Sequence, residues 1–200
     1  MMTILVIDDD PAIREIFTAF LKRHGHTIYA APGGREGLEL LRTLQPDLIV
    51  LDIMMMPMDG WETLSAIKRD PATRAIPVTM FSGKQPDPEE ICRYGTWIED
   101  YLVKPLDFHR FSDILTDIIR RSSDWQQERE ILKCVVPDHD LIDEYYGTRK
   151  IVYLLEKFLP LLETAPQQVR LIIQHQKNHI SEMEVSMNLR EFLPAGKVKS

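Results

Sequence analysis

ILVIDDDPAIR, at residues 4–14, is the stretch of this sequence that decides the fold. Its first four residues are all apolar, and such an unbroken run is typical of a strand that is covered on both faces. Three aspartates follow, and Asp10 precedes Pro11, so the sequence predicts a helix that Asp10 caps and that has proline at its first position. A buried strand that leads through acidic residues into a helix predicts the first half of a βαβ unit.

The same alternation continues through the first 120 residues. Further apolar runs occur at residues 27–30, 48–51, 77–81 and 101–103, and together with the first run they predict five strands. Two helical stripes lie between these runs, one formed by Ile13, Ile16, Phe17, Phe20 and Leu21, the other by Leu38, Leu40, Leu41 and Leu44. Strands that alternate with helices predict an α/β fold with a mainly parallel sheet.

Composition argues against several classes of protein. The chain has 200 residues, a net charge of -7 and 44% hydrophobic residues, which is ordinary for a globular protein. An apolar run of about 18 residues is missing, so no membrane span is expected. The N-terminal segment lacks the basic residues of a signal peptide. Two cysteines, Cys92 and Cys134, are too few for a disulfide framework and indicate a cytoplasmic location.

The negative charge is concentrated in the first part of the chain. Residues 1–120 carry 13 basic and 19 acidic side chains, whereas residues 121–200 carry 11 basic and 12 acidic ones. This acidic balance disfavours non-specific binding to nucleic acid.

Polar side chains end four of the five predicted strands. Asp8 and Asp9 follow the first strand, Asp52 the third, Ser82 the fourth and Lys104 the fifth. Because the carboxyl ends of parallel strands meet at one edge of a sheet, we expect these groups to converge. Carboxylate oxygens suit Mg²⁺ or Mn²⁺, and a lysine and a hydroxyl beside such a metal suit a phosphoryl group. Taken alone, each acid is also explained as a helix cap or a solvated loop charge.

This constellation resembles the receiver domain of two-component response regulators. Four segments carry the resemblance, in order and at the family's spacing within residues 3–121: ILVIDDDPAIR, PDLIVLDIMMMPMDGWE, IPVTMFSGK and EDYLVKPLDF. The resemblance implies a flavodoxin-like, doubly wound sheet of five parallel strands in the order 2-1-3-4-5. It implies a receiver over residues 1–121, followed by a helical output region over residues 122–200. The implied partner is a sensor histidine kinase or a phosphotransfer protein.

The resemblance also assigns roles to individual residues. Asp52 is implied to be the phosphoacceptor and a metal ligand, with Asp9 binding Mg²⁺ or Mn²⁺ directly and Asp8 binding it through water. The backbone carbonyl of Met54 completes the implied metal ligands, and Lys104 is implied to contact the phosphoryl oxygens. Such a protein is a phosphoacceptor and not an enzyme, because its own chemistry is limited to self-phosphorylation and dephosphorylation.

Two positions depart from the family pattern. The family usually has proline four residues after the phosphorylated aspartate, whereas this sequence has Met56 there and Pro57 next, so we expect a different turn. Ser82 stands where threonine is also common, and its hydroxyl can serve the same role. The Lys104–Pro105 peptide bond is expected to be cis, as is usual in this motif.

Four residues are implied to control the switch and its lifetime. On phosphorylation Ser82 moves towards the phosphoryl group and Tyr101 turns inward. The alternative for Tyr101 is a plain core tyrosine whose hydroxyl reaches the surface. Met54 and Lys84 flank the implied path of the hydrolytic water, and neither a thioether nor an ammonium can activate water. We therefore expect slow self-dephosphorylation.

Residues 122–200 are predicted to be helical throughout. We expect helices over residues 125–135, 141–146, 151–162, 169–179 and 180–193, with breaks at Pro137, near Gly147 and at residues 165–166. The helix over residues 125–135 is either separate or a continuation of the preceding helix, which Asp107 is expected to cap.

The role of this helical region is left open between three hypotheses. The first is a phospho-switched region that forms a homodimer or docks a partner. It is favoured because the sequence of this region has apolar stripes but no residues that indicate a chemical function. The second is a DNA-binding output, which the lack of a helix-turn-helix pattern disfavours. The third is a degenerate phosphotransfer bundle, because residues 147–176 are similar to the first half of a histidine phosphotransfer domain. The nearest counterpart of that family's H-x-x-K-G box, residues 187–191, has no histidine, and His175 and His179 are interpreted as surface residues.

Overall fold

The chain divides into two compact units. The computed structural model describes residues 1–105, 108–161 and 166–189. Unit 1 comprises Met1–Asp87 and Trp97–Ser122, and unit 2 comprises Pro88–Thr96 and Ser123–Ser200. The sequence analysis predicted a boundary after residue 121, which places residues 88–96 in the N-terminal domain. In the structure these residues belong to the compact unit that contains the C-terminal helices.

Unit 1 contains a five-stranded sheet in which every strand pair is parallel. The strands are β1 (Thr3–Ile7), β2 (Thr27–Ala31), β3 (Leu48–Leu51), β4 (Val78–Ser82) and β5 (Asp100–Val103). Their order, β2-β1-β3-β4-β5, confirms the fold that the resemblance implies. All of β3 and nearly all of β1 is buried, as expected for strands that are covered on both faces.

Three helices of unit 1 follow the predicted strands. They are α1 (Pro11–Arg23), α2 (Gly34–Leu41) and α3 (Gly60–Arg69). The side chain of Asp10 accepts a hydrogen bond from the amide of Ala12, which confirms the predicted cap of α1. Phe17 and Leu21 of α1 are buried in the sheet core, but Ile16 is 45% exposed, so its assignment to the buried stripe is wrong. Ile16 lies about 100° around the helix from Phe17 and therefore falls outside the contact face.

The boundary between the units falls inside a single helix. After the short α4 (Pro88–Tyr94), α5 runs without interruption from Phe108 to Val135. The predicted helix over residues 125–135 is therefore a continuation of the preceding one. Asp107, the predicted cap, lies outside the described residues.

Unit 2 contains α4, the last part of α5, α6 (His139–Phe158) and α7 (Pro166–Ser186). Two predicted interruptions are wrong. α6 continues through Gly147, because this glycine serves a close approach and not a break: a Cβ there would lie 3.0 Å from Cγ2 of Thr96. α7 continues through residues 179–180, where neither glycine nor proline is present. Within the described part of the chain, no helix is long and apolar enough to cross a membrane.

The core of unit 2 combines apolar residues with one paired arginine. Its buried members are Leu132, Val136, Ile142, Tyr145, Tyr146, Met183, Met187 and Leu189. Arg149 of α6 pairs with Glu128 of α5 at 2.9 Å. The guanidinium carbon of Arg149 lies 5.3 Å from the ring centroids of Trp125, Tyr145 and Tyr146. These cation–π contacts and the ion pair connect α5 with α6.

Candidate functional site

Three carboxylates meet at the carboxyl ends of β1 and β3. Ile7 pairs with Leu51 in the register of these strands, so Asp8 and Asp52 occupy equivalent positions just beyond them. Asp9 completes the group, in which one carboxylate oxygen of each aspartate lies within 4.8 Å of the others. Asp8 and Asp52 are 1% and 3% exposed, whereas Asp9 is exposed to solvent. The structure thus brings together the three aspartates that the sequence analysis singled out.

Lys104, directly after β5, contributes a positive charge to this group. Its Nζ lies 2.8 Å from Oδ2 of Asp8 and 3.2 Å from Oδ2 of Asp52. The same ammonium lies 4.8 Å from the ring centroid of Phe81, and the Lys104–Pro105 bond is cis, as predicted. Burial raises the pKa of the Asp8 carboxyl because it desolvates the charged form, and the hydrogen bond from Lys104 opposes that rise.

Backbone amides orient the two buried carboxylates. Oδ1 of Asp8 accepts a hydrogen bond of 2.9 Å from the amide of Asp10, and Oδ1 of Asp52 accepts one of 2.8 Å from the amide of Ile53. Three carboxylates against one ammonium leave an excess of negative charge, which a divalent cation would neutralise. The donor atoms are hard oxygens, so the residues present fit Mg²⁺ or Mn²⁺ better than zinc.

Gly60 lets the loop after Asp52 return to the end of β3. The amide of Gly60 donates to the carbonyl of Ile53 at 3.0 Å. A Cβ at this position would lie 2.2 Å from the carbonyl oxygen of Asp52, so only glycine fits without a backbone shift. Asp59 caps α3 through a capping box, and the Met56–Pro57 bond in the intervening turn is cis. The sequence analysis expected a different turn at this position, and this turn contains a second cis peptide bond beside the site.

The loop also exposes two methionines beside Asp52. Met54 and Met56 are 64% and 82% exposed, while Met55 between them is buried. The place of Met54 near the path of the hydrolytic water stays a prediction. The role of its backbone carbonyl as a metal ligand stays a prediction.

The side chains of Ser82 and Tyr101 both form hydrogen bonds with the backbone of Lys84. Oγ of Ser82 accepts a hydrogen bond of 3.2 Å from the amide of Lys84, and the hydroxyl of Tyr101 donates one of 2.8 Å to the carbonyl of Lys84. Ser82 and Tyr101 are 0% and 1% exposed, whereas Lys84 is exposed. Tyr101 thus points inward, and its hydroxyl is engaged by the backbone.

Arg14 is a residue of the site that the sequence analysis missed. Its Nη1 donates a hydrogen bond of 2.7 Å to the backbone carbonyl of Asp8. Side chains of a helix lean towards its N-terminus, so a residue in the first turn of α1 can reach back to the end of β1. Arg14 stands one helical turn after the capping residue Asp10, but an arginine at that position of a helix gives no distinctive signal in the sequence.

Comparison with known proteins identifies relatives of the N-terminal part. A family model for the response regulator receiver domain matches residues 4–116. The transcriptional regulatory protein AfsQ1 of Streptomyces coelicolor is 35% identical over 121 residues, which are 60% of this chain and 52% of AfsQ1. The matched region spans about half the length of the curated relatives that head the comparison.

Solved structures show the same fold. The N-terminal domain of a response regulator receiver protein from Methanoculleus marisnigri JR1 has a TM-score of 0.52 and 50% identity, and the match covers 57% of this chain and 94% of that one. The response regulator TrrA from Thermotoga maritima, solved in complex with Mg²⁺-BeF, has a TM-score of 0.50 and 25% identity, with 59% of this chain and 99% of that chain covered. In both cases the shared part is about three fifths of this chain.

Proposed function

The chain belongs to the response regulator receiver domain family, and we propose that Asp52 accepts a phosphoryl group in a two-component phosphorelay. The donor in this proposal is the phosphohistidine of a sensor histidine kinase or of a phosphotransfer protein. The position of Lys104 carries the proposal, because its ammonium contacts both Asp8 and Asp52, at 2.8 and 3.2 Å, beside a group of three carboxylates. Such an arrangement suits the transfer of an anionic group to a carboxylate.

Oδ2 of Asp52 is the nucleophile in this proposal. The Ile53 amide holds Oδ1, so Oδ2 is the oxygen that is left to attack. Attack on phosphorus forms an O–P bond while the P–N bond to the donor histidine breaks, and the imidazole takes up a proton as it leaves. The product is an acyl phosphate on Asp52. The ammonium of Lys104 contacts the carboxylate of Asp52 before transfer, and after transfer it can pair with the negatively charged phosphoryl oxygens.

Asp8, Asp9 and Asp52 would hold Mg²⁺ or Mn²⁺, with the carbonyl of Met54 as the further predicted ligand. The cation, when bound, supplies positive charge that offsets the repulsion between the carboxylates and the incoming phosphoryl group. The likeness to TrrA, which was solved with Mg²⁺-BeF, supports this assignment. The fixed orientation of Asp8 and Asp52 by backbone amides would present their oxygens to the cation without rearrangement.

The helical region at residues 122–200 is the output in this proposal, a phospho-switched surface that dimerises or docks a partner protein. Residues 121–200 carry 11 basic and 12 acidic side chains, which gives no electrostatic support for binding nucleic acid. AfsQ1 is a transcriptional regulatory protein by name, and this keeps a DNA-binding output as the second candidate. A degenerate phosphotransfer bundle is the third. In all three cases the chain acts in the cytoplasm as a phosphoacceptor and not as an enzyme.

Loading with acetyl phosphate in the presence of Mg²⁺ tests the phosphoacceptor role. The wild-type protein should be retarded on a phosphate-affinity gel, and Asp52→Asn should not be. Asp10→Asn is the matched control, because Asp10 caps α1 and asparagine caps a helix equally well. The proposal is contradicted if acetyl phosphate does not phosphorylate the wild-type protein, or if it phosphorylates Asp52→Asn as it does the wild type.

Three further measurements distinguish the three candidate outputs. Size-exclusion chromatography with light scattering, with and without Mg²⁺ and beryllofluoride, shows whether phosphorylation changes assembly. Binding to DNA that weakens steeply with salt would favour a DNA-binding output. Transfer of the phosphoryl group from Asp52 to a histidine of the same chain would favour the phosphotransfer bundle.

A further inference from the structure

A buried aromatic ring lies against the ammonium of Lys104. Nζ of Lys104 is 4.8 Å from the ring centroid of Phe81, a distance at which the negative face of a ring attracts a cation. Phe81 is buried and Lys104 is half-buried. Because the contact is partly shielded from water, the attraction is stronger than it would be on an exposed surface.

The pairing of β4 with β5 explains why this ring and this ammonium meet. Phe81 of β4 pairs with Leu102 of β5, and the amide of Lys104 donates to the carbonyl of Ser82 at 2.8 Å. The pairing therefore continues for one residue beyond β5. Alternate residues of an extended chain point to the same face of a sheet, so Lys104 follows Leu102 on the face that carries Phe81.

Neighbouring aromatic rings fix the orientation of Phe81. The ring centroids of Phe81 and Phe17 lie 4.9 Å apart in an edge-to-face contact, and those of Phe17 and Phe111 lie 5.2 Å apart in another. All three rings belong to the buried core of unit 1. The lysine side chain, by contrast, has many rotamers and loses entropy when its ammonium is held in one place.

We propose that Phe81 is a positioning residue, whose ring holds the Lys104 ammonium beside Asp52 through a cation–π contact. The inference rests on the proposed function of Asp52 and adds a residue to that site. Without the attraction of the ring, Lys104 would spend more time in rotamers that turn its ammonium towards solvent. Transfer would then be slower, because the positive charge must already be in place when negative charge develops on the phosphoryl oxygens. Phe81 acts only through Lys104 in this proposal.

Fluorination of Phe81 tests the electrostatic contact with little change in the shape of the ring. Phenylalanines with one to five fluorine atoms are introduced at position 81 alone by genetic code expansion. Each fluorine withdraws electron density from the face of the ring and so weakens its attraction for a cation. At saturating Mg²⁺, we expect pentafluorophenylalanine at position 81 to slow loading with acetyl phosphate by about 5-fold, with intermediate rates for fewer fluorines.

Phe111 provides the matched control. Its ring is buried in the same cluster and makes the same kind of edge contact with Phe17, so pentafluorophenylalanine at position 111 changes the aromatic packing of the core alone. We expect this protein to load at the wild-type rate. Thermal unfolding followed by circular dichroism verifies that the fluorinated proteins are folded like the wild type.

A double-mutant cycle with Lys104→Met separates positioning from a merely structural role. If Phe81 acts through the ammonium, fluorination at position 81 has no effect on the residual loading rate of Lys104→Met. A structural role would give the same decrease in both backgrounds. NMR tests the contact itself without phosphorylation, because the ring current of Phe81 should shift the ε protons of Lys104 upfield in the wild type, and Phe81→Leu should remove that shift.

The outcomes distinguish this inference from the proposed function. If acetyl phosphate does not phosphorylate the wild type, the phosphoacceptor proposal fails and the positioning role fails with it. If the wild type is phosphorylated, three results overturn the positioning role alone. They are a loading rate that fluorination of Phe81 leaves unchanged, an equal decrease in the Lys104→Met background, and ordinary shifts of the Lys104 ε protons in the wild type.

Discussion

Lys104 and Asp8 form an ion pair of 2.8 Å in which the carboxylate is 1% exposed. A buried carboxylate needs a positive partner, because desolvation penalises its charged form. The ammonium of Lys104 is that partner in this structure, and it occupies the side of Asp8 that also faces Asp52. A divalent cation and Lys104 therefore compete for the same negative charge in the absence of a phosphoryl group and cooperate in its presence.

Lys104→Met separates these two effects. Removal of the ammonium should raise the affinity for Mg²⁺ by about 10-fold, since the competing charge is gone. The rate of loading with acetyl phosphate should fall by about 100-fold or more, because a charge-stabilising group is lost from the transition state. Magnesium titration followed by NMR and the gel assay give the two quantities. Lys22→Met, at the exposed end of α1, should change neither the Mg²⁺ affinity nor the loading rate. If Lys104→Met binds Mg²⁺ more weakly than the wild type, Lys104 does not compete with the cation.

Gly60→Ala should destabilise unit 1. The added methyl would lie 2.2 Å from the carbonyl oxygen of Asp52, and the backbone shift needed to accept it should cost about 1–3 kcal/mol. Gly83→Ala is the control, because a Cβ at Gly83 meets no atom within 4 Å. Urea unfolding measures both variants, and equal losses of stability in the two would show that the close approach at Gly60 is unimportant.

The lifetime of the phosphoryl group should depend on Met54 and Lys84. Met54→Asn combined with Lys84→Glu supplies groups that can orient and activate water, and we expect decay to accelerate by about 10-fold. Decay is followed after removal of acetyl phosphate. Met56→Asn, a change at an even more exposed methionine, should leave the rate unaltered. If the phosphoryl group of the double variant decays at the wild-type rate, Met54 and Lys84 do not control its lifetime.

The contact between α6 and α7 should be sensitive to pH at one histidine. Nε2 of His179 lies 2.9 Å from Oε1 of Glu144, and this hydrogen bond raises the pKa of His179 above its ordinary value of 6.5. A raised pKa in the folded state means that the contact stabilises the protein fully below the unfolded pKa. That stabilisation is lost as the pH rises through the folded pKa.

His179→Gln should therefore reduce stability at acidic pH and have little effect at alkaline pH. Unfolding free energies measured at intervals across this range give the difference between variant and wild type. His175→Gln, at an exposed position of the same helix, is expected to show no such dependence. A loss of stability in His179→Gln that is the same at every pH would contradict the assignment to this ion pair.

The fold of the first 120 residues was predictable because its strands are short, mainly apolar runs, four of which end in a polar residue. The convergence of Asp8, Asp52 and Lys104 followed from the rule that parallel strands present their carboxyl ends at one edge. Arg14 was not predicted, because it binds a backbone carbonyl and an arginine in a first helical turn has no distinctive sequence pattern.

The second unit was harder to predict for a different reason. Gly147 ends many helices but here it lies inside α6, since the approach of Thr96 is a tertiary contact that local pattern does not contain. Residues 88–96 group with the C-terminal helices, and α4 within them contacts α6. Local signals thus predicted the helical character of this region, and the packing between distant elements decided where the helices continued.

Chemical trapping tests directly whether the carboxylate of Asp52 accepts the phosphoryl group. Borohydride reduces an aspartyl phosphate to homoserine, which mass spectrometry locates in the digested protein. After treatment with acetyl phosphate and Mg²⁺, we predict homoserine at position 52 and at no other aspartate. Homoserine at another position, or phosphorylation that survives borohydride and maps to a histidine such as His175 or His179, would contradict the account.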